Sequence, residues 1–439
     1  MQRLAIFGGN PVRTKPYPAW PVFDESEEQA ILGVLRSGRW WHALQGESSH
    51  LDGAHSSLSD SGLSDSSRSR TAEFELAFAR AMGAERAIAC ASGTAALKVA
   101  LKAGGVGPGD EVIVPPYTFI ATATAVLQLG AIPIFCDVEL DTFNIDPAQA
   151  EKAITPRTRA ILPVHFAGLA ADMGRLNKMA REHDLFLLED AAHAHGACWN
   201  GRALGTIGDA GTFSFQASKN MTAGEGGMIV TSDAKLAELC ESYVWAGREY
   251  GRPWYEHHRL GWNYRITEFQ SAILIEQLKR LEAQTERRMR NGRYLSAKLT
   301  AIPGIHPLQM PDWATRHSFH IYVFRLDAQE FGVSREQFLR ALHQEGIPCS
   351  GGYAAPLYRA PLFLEQQFHA NGAPLARERT GAIDYASFAE SCPQAERACR
   401  EAVWIEHRVL LGDQDAMEDI VRAATKIYEC RSEFREEPQ

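Results

Sequence analysis

The feature that most constrains the fold is a regular alternation of short apolar runs with helix-type patterns, which begins at about Thr71. Each apolar run has the length of a buried strand, and amphipathic or capped segments separate the runs. The alternation therefore predicts an α/β fold with a mainly parallel sheet covered on both faces. Such sheets bind ligands at the carboxyl ends of their strands. The predicted strands are Ala87–Cys90, Glu111–Val114, Ile132–Phe135, Ala160–Val164, Leu185–Leu188 and Met228–Thr231.

The pattern divides the chain into four parts. The first holds an extended arm and a helix that Asp24 is expected to cap, with Glu27 completing a capping box. The last is expected to be a smaller α+β domain, with a long helix at Thr267–Leu299 leading into it. The predicted parts are an arm and helix at 1–46, a serine-rich insertion at 47–70, a large ligand-binding domain at 71–285 and a small C-terminal domain at 286–439.

The insertion differs from its surroundings in composition. Ten serines lie between Ser48 and Ser69, with few apolar residues among them. Such a segment buries too little apolar surface to offset the entropy lost on ordering, so we expect a mobile surface insertion. The alternative is a lid over the ligand site, because the insertion begins shortly after the aromatic pair Trp40-Trp41.

Composition disfavours several classes of protein. Apolar residues make up 45% and charged residues 23%, as in soluble globular proteins. The net charge is −9 and no long basic run is present, which disfavours binding to nucleic acid. No apolar run approaches the roughly 18 residues of a membrane span, so we expect a cytoplasmic protein without membrane contact. The eight cysteines form no C-x-x-C pair, so we expect reduced thiols and no metal site.

Three local signals could carry chemistry. Ser92-Gly93-Thr94 lies between a strand and a helix, where backbone N–H groups can hold a phosphate or the serine can be an ordinary N-cap. Asp190 directly follows a buried strand, so it could be an N-cap, a metal ligand or a partner for a protonated heterocycle. Lys219 lies between two short apolar strands, where its amine is either desolvated and reactive or simply at the surface.

The three signals together point to one cofactor. Pyridoxal phosphate needs a phosphate cradle, an acid for its pyridine nitrogen and a lysine for its aldehyde. The chain supplies all three in that order, each at the end of a strand. No G-x-G-x-x-G follows an early strand, so a dinucleotide enzyme has little support.

A set of motifs extends this interpretation over nearly the whole chain, apart from the serine-rich insertion. Together the motifs resemble the DegT–DnrJ–StrS family of sugar aminotransferases, which are fold-type I pyridoxal-phosphate enzymes. The matching motifs are Ser92–Leu97, Pro115–Phe119, Pro163–Gly168, Glu189–Gly196, Phe213–Phe215, Lys219, Gly224–Gly227 and Gly261–Glu268.

The resemblance implies roles for the residues around the cofactor ring. Lys219 would form the Schiff base with the cofactor and move the α-proton of the substrate. Asp190 would pair with the pyridinium nitrogen, and His193 would lie near the ring oxygen as a further catalytic candidate. Phe119 would stack on the ring, with packing in the core as the alternative.

The resemblance also implies contacts to the phosphate and the substrate. Asn263 would reach the phosphate of the neighbouring subunit, which implies a homodimer with shared active sites. Arg265 is a candidate for the carboxylate of the amino donor, with a surface ion pair as the alternative, and His165 is a second candidate for substrate contact. The implied phosphate ligands within one chain are Gly93, Thr94 and Ser214.

The implied reaction is transfer of an amino group from glutamate or glutamine to a keto-sugar or keto-cyclitol. Trp40-Trp41 and the run Val403–Leu411 are similar to a branch that includes inosose aminotransferases and 3-amino-5-hydroxybenzoate synthases. The chain departs from that branch in the insertion and at Glu406. The alternatives are a lyase that forms an aminohydroxybenzoate and a regulatory protein that only binds the cofactor. Sugar dehydratases of the family replace the lysine with histidine, so Lys219 argues against that reaction.

Overall fold

Strands and helices alternate along most of the chain, as the sequence predicts. The computed structural model describes residues 3–41, 69–366 and 383–436. The strands are β1 (Arg86–Cys90), β2 (Glu111–Val114), β3 (Ile132–Phe135), β4 (Thr158–Ile161), β5 (Phe186–Asp190), β6 (Cys198–Trp199), β7 (Arg202–Ala203), β8 (Ala210–Ser214), β9 (Gly227–Thr231), β10 (Ile305–Pro307), β11 (Ile321–Leu326) and β12 (Ala402–Glu406).

The helices begin where the sequence offers a capping side chain. Asp24 accepts a hydrogen bond from the amide of Ser26 and completes a capping box with Glu27, which confirms the predicted start of the first helix. The helices are α1 (Glu25–Ser37), α2 (Arg70–Met82), α3 (Gly93–Ala103), α4 (Ala121–Leu127), α5 (Pro147–Lys152), α6 (Met173–Glu182), α7 (Ala234–Val244), α8 (Glu268–Leu299), α9 (Ala328–Phe331), α10 (Arg335–Gln344), α11 (Pro361–Leu364), α12 (Phe388–Ser391), α13 (Pro393–Glu401) and α14 (Gln414–Glu429).

Seven strands of the described residues form the central sheet, in the order β1-β9-β8-β5-β4-β2-β3. The pairs β8–β5, β5–β4, β4–β2 and β2–β3 are parallel, which confirms a mainly parallel α/β sheet. β9 runs antiparallel to both of its neighbours, and the sequence pattern gave no sign of this reversal. Buried apolar clusters cover both faces of the sheet, so the strands are hydrophobic on both sides.

A second sheet of three antiparallel strands, β10-β11-β12, lies in the C-terminal part of the described chain. The 32-residue helix α8 connects the two sheets along the chain. The predicted boundary at residue 285 falls inside this helix, and we retain the division into a large and a small domain as a proposal. Residues 47–68 of the predicted insertion lie outside the described residues, whereas Ser69 caps α2 and Arg70 begins it.

The N-terminal arm lies against the central sheet's ligand-binding edge. Trp20 Nε1 donates a hydrogen bond to the carbonyl of Ala217, 2.9 Å away.

In the part of the chain that the structure describes, no helix combines the length and the apolar character that crossing a bilayer requires.

A buried carboxylate holds the carboxyl end of β5 in place. Glu189 is fully buried and accepts hydrogen bonds from the amides of Gly205, Ile207 and Gly208 at 2.6–2.8 Å. Its Oε2 also lies 2.8 Å from Nε2 of His165. Neighbouring residues of a strand point to opposite faces, so this network fixes β5 on one side and directs Asp190 to the other.

The network predicts a large effect on stability. Glu189→Ala leaves three buried amides without an acceptor, each costing about 1–3 kcal/mol, so the free energy of unfolding should fall by about 3 kcal/mol or more. Urea unfolding measures the loss. The control is Glu182→Ala at an exposed position of α6, which removes only a surface pair with Lys178 and should change stability by less than about 0.5 kcal/mol. Equal effects of the two substitutions would contradict the assigned role of Glu189.

Candidate active site

A cavity of about 1020 Å³, the main cavity, lies at the carboxyl ends of the parallel strands. Ser92, Phe119 and Val164 line it just after β1, β2 and β4, and Asp190 and Ser214 line it at the ends of β5 and β8. Its location therefore agrees with the ligand-binding edge that the sequence predicted. The predicted site residues that line the main cavity are Gly93, Thr94, Phe119, Asp190, His193, Ser214 and Lys219.

The start of α3 forms one end of the cavity. Ser92 is the N-cap of α3, and its hydroxyl accepts a hydrogen bond from the amide of Ala95. The amides of Gly93 and Thr94, in the first turn, have no partner within a helix and are available to an anion. A Cβ at residue 93 would lie 2.7 Å from Ser214 Cβ, so glycine is what allows α3 to approach Ser214 this closely. Ser92 is therefore the N-cap of α3, and phosphate binding by the next two amides stays a prediction, which their place in the cavity lining supports.

Asp190 presents a buried carboxylate to the cavity. Its Oδ2 accepts a hydrogen bond from Thr122 Oγ1 at 2.9 Å, and its Oδ1 accepts one from the amide of Ala192. Burial raises the pKa of this carboxyl, while the two hydrogen bonds and the nearby charge of Lys219 act in the opposite direction. A cationic ring nitrogen facing Asp190 would favour the ionised form in the same way.

Lys219 lies in the loop between β8 and β9 and lines the main cavity. Burial lowers the pKa of its amine from the ordinary 10.5 to about 8, and the carboxylate of Asp190 opposes that shift. A lysine with this pKa is partly neutral near pH 7.5, and a neutral amine is the form that attacks a carbonyl. Lys219 is half-buried and lines the cavity, which favours a partly desolvated amine over a surface lysine.

Three stacked histidines form another wall of the cavity. His193 and His320 have ring centroids 4.3 Å apart, and His320 and His407 have theirs 5.7 Å apart. His320 Nδ1 donates to Asn220 Oδ1, and His407 Nε2 donates to the carbonyl of Ser218. Burial lowers the pKa of all three imidazoles well below their usual range, so the wall is neutral at physiological pH. Sequence analysis missed His320 and His407 as site residues because they lie more than 100 residues from His193.

Three predicted site residues do not line the main cavity of a single chain. Asn263 is exposed, and the Arg265 guanidinium lies 5.1 Å from the ring centroid of Trp245. His165 is fully buried and its ring bonds to Glu189, so its predicted contact with the substrate is wrong. It positions β5 instead. Phe119 is 58% exposed, which favours a free ring face over the alternative of core packing.

The donor set fits pyridoxal 5′-phosphate. Helix-start amides and the Ser214 hydroxyl suit a phosphate dianion, the buried Asp190 suits a pyridinium, and Lys219 suits an aldehyde. The close approach at Gly93 adds a structural reason, because any side chain there would force α3 or Ser214, which would hold the phosphate together, to shift.

Comparisons with known proteins agree with this chemistry. The sequence profile described as the DegT/DnrJ/EryC1/StrS aminotransferase family matches residues 51–424. The chain is 40% identical to a putative L-glutamine:3-amino-2,3-dideoxy-scyllo-inosose aminotransferase of Streptoalloteichus tenebrarius and 38% identical to the L-glutamine:2-deoxy-scyllo-inosose aminotransferase of Streptomyces paromomycinus, with 97% of each chain covered in both cases. The crystal structure of a 3-amino-5-hydroxybenzoic acid synthase matches with a TM-score of 0.81 and 34% identity, covering 96% of this chain and all of the other.

The close approach of Gly93 to Ser214 predicts that a side chain at residue 93 weakens binding of the coenzyme. Gly93→Ala places a methyl group 2.7 Å from Ser214 Cβ, so α3 or Ser214 must shift and the affinity for pyridoxal 5′-phosphate should fall at least tenfold. Equilibrium dialysis against the coenzyme measures it. Gly33→Ala in α1 is the matched control, because nothing lies within 4 Å of its added Cβ, and it should bind the coenzyme as the unaltered chain does. Equal affinities for the two variants would contradict the cradle.

Proposed function

Since the chain belongs to the DegT/DnrJ/EryC1/StrS aminotransferase family, and is therefore a pyridoxal 5′-phosphate-dependent enzyme that transfers nitrogenous groups, we propose that its amino donor is L-glutamine or L-glutamate and its acceptor a keto-cyclitol or keto-sugar. The observation that carries the proposal is the placement of Lys219 and Asp190 in one cavity with a neutral histidine wall.

Each of the cavity residues would have a separate role in the proposed reaction. Bound pyridoxal 5′-phosphate supplies an aldehyde that accepts the amino group and a ring that withdraws electrons. Asp190 holds the proton on the ring nitrogen, and Phe119 covers a face of the ring. Lys219 holds the coenzyme and then moves a proton at the α-carbon of the donor, a task for which a pKa near 8 is well matched. The phosphate is held by Gly93, Thr94 and Ser214.

The histidine wall suits an uncharged polyol acceptor. A neutral imidazole can donate to or accept from a hydroxyl, and the Nδ1 atoms of His193 and His407 are buried with no hydrogen-bond partner among the described residues. A six-membered ring bearing several hydroxyls would supply those partners. The relatives named as L-glutamine:2-deoxy-scyllo-inosose aminotransferases support the same class of acceptor.

The assembly we propose is a homodimer with shared active sites, in the cytoplasm. Asn263 is exposed and lies outside the main cavity of its own chain, as a residue that contacts the coenzyme of a second copy must. Arg265 lies near it and could enter that second site. All eight cysteines are free thiols, which agrees with a reducing compartment.

A second candidate function is that of a 3-amino-5-hydroxybenzoate synthase, favoured by the structural match over the full length of such an enzyme. It would use the same lysine to remove protons from the ring of an amino-substituted precursor. Formation of an aromatic product in place of an amino-cyclitol distinguishes the two. A regulatory protein that only binds the coenzyme would show no reaction with any amino donor.

The proposed role of Lys219 predicts a specific defect. Lys219→Ala should lower the rate of the half-reaction with L-glutamine by about 10² to 10⁴-fold, because the positioned base is lost. Stopped-flow absorbance of the bound coenzyme follows the half-reaction. Lys235→Ala, at an exposed position in the first turn of α7, is the control and should keep the unaltered rate. An unaltered chain that reacts with neither L-glutamine nor L-glutamate would contradict the proposed function.

A further inference from the structure

An ion pair at the rim of the main cavity is not used by the chemistry described above. Glu406 ends β12, and Arg408 follows two residues later. The guanidinium Nε of Arg408 donates to Glu406 Oε2 at 2.6 Å, and both residues line the cavity.

The two proposed substrates make opposite demands on this cavity. The donor carries an α-carboxylate, whereas a keto-cyclitol that bears only hydroxyl groups is uncharged, and both must bring their reacting carbon to Lys219. Of the described residues that line the cavity, Lys219 and Arg408 are the lysine and the arginine, and burial keeps the pKa of His193, His320 and His407 well below its usual range. Lys219 is committed to the amine chemistry, so within its own chain Arg408 is the arginine placed to meet the carboxylate.

Arg408 is held close to the lysine loop. Its neighbour His407 donates to the carbonyl of Ser218, the residue before Lys219. Arg408 Nη1 also donates to the carbonyl of Pro18 in the N-terminal arm, at 3.3 Å. The His407 side chain thus contacts the loop that carries the reactive amine, while the Arg408 guanidinium contacts the N-terminal arm and lines the cavity.

The pair can exchange partners at little cost. The side chains of Arg408 and Glu406 are 31% and 65% exposed, and ion pairs with this exposure contribute little to stability. A substrate carboxylate inside the cavity forms a less hydrated, charge-assisted bond to the same guanidinium, which is stronger. Arg408 can therefore leave Glu406 for the donor and return to it when the donor has gone.

We propose that Arg408 binds the α-carboxylate of the amino donor and that Glu406 replaces this carboxylate when the uncharged acceptor occupies the cavity. One cavity then serves both substrates without leaving an unpaired cation during the second half of the cycle. This inference rests on the proposed function, because it assumes a donor with a carboxylate and an acceptor without one.

The first test uses 4-carbamoylbutanoate, which is glutamine without its amino group and cannot react. Calorimetric titration of the holoenzyme measures its binding directly. Arg408→Gln should weaken binding by roughly 10- to 100-fold, as loss of a charged hydrogen bond does, and Arg408→Lys should recover part of it. Arg359→Gln, which breaks an exposed pair with Glu396 outside the cavity, is the control and should bind as the unaltered holoenzyme does.

The second test removes the charge of Glu406, the other member of the ion pair. Glu406→Gln removes the competing carboxylate, so 4-carbamoylbutanoate should bind several-fold more tightly and should inhibit the reaction with the keto acceptor more strongly. A pair that only supports the fold would give unchanged or weaker binding in this variant. The rate of the acceptor half-reaction in Arg408→Gln should stay within about threefold of the unaltered rate, because the acceptor has no carboxylate to lose.

The outcomes separate the two proposals. If the unaltered holoenzyme reacts with no amino donor, the proposed function fails. If it reacts with L-glutamine while Arg408→Gln binds 4-carbamoylbutanoate as tightly as the unaltered holoenzyme, the proposed function stands and the role of Arg408 is overturned. Loss of binding in Arg265→Gln with full binding in Arg408→Gln would likewise overturn it and transfer the role to Arg265.

Discussion

The site depends on the electrostatic attraction between the amine of Lys219 and the carboxylate of Asp190. Burial disfavours the charged form of both groups, lowering the pKa of Lys219 and raising that of Asp190, while the attraction between them acts against each shift. The balance leaves a lysine that can be neutral and an aspartate that can be ionised when a cation faces it. The pleat of β5 makes this possible, because Glu189 anchors one side of the strand end and Asp190 faces the cavity from the other.

Much of this arrangement could be predicted from local sequence. Glu111–Val114 and Ile132–Phe135 have the predicted strand boundaries, since short apolar runs flanked by turns have few other options in an α/β chain. Lys219 and Asp190 could be located because Asp190 ends an apolar strand and Lys219 lies in the loop after another, where the fold exposes side chains to ligands. The antiparallel direction of β9 could not be predicted, because a fully buried strand has the same composition in either direction.

Other residues escaped prediction because their partners are distant in sequence. His320 directly precedes β11 and His407 directly follows β12, so the packing of the second sheet brings both to the cavity. No local spacing in the sequence links them to His193. His165 was misassigned because a histidine in a site motif gives no sign of whether it faces the ligand or the core. The deciding fact is its hydrogen bond to Glu189, 24 residues away. Glu406 and Arg408 are a third case. They are charged residues two positions apart, and no role can be assigned to them until the cavity that they line is known.

The measurement that tests the central arrangement most directly is the pKa of the Lys219 amine in the coenzyme-free protein, obtained from the pH dependence of its competitive acetylation by mass spectrometry. In the unaltered chain it should be about 8, well below the ordinary 10.5. In Asp190→Asn it should be lower still, because the carboxylate that favours the ammonium form is gone. A value near 10.5 in the unaltered chain, or no change on replacing Asp190, would show that the two groups do not face each other in a buried site.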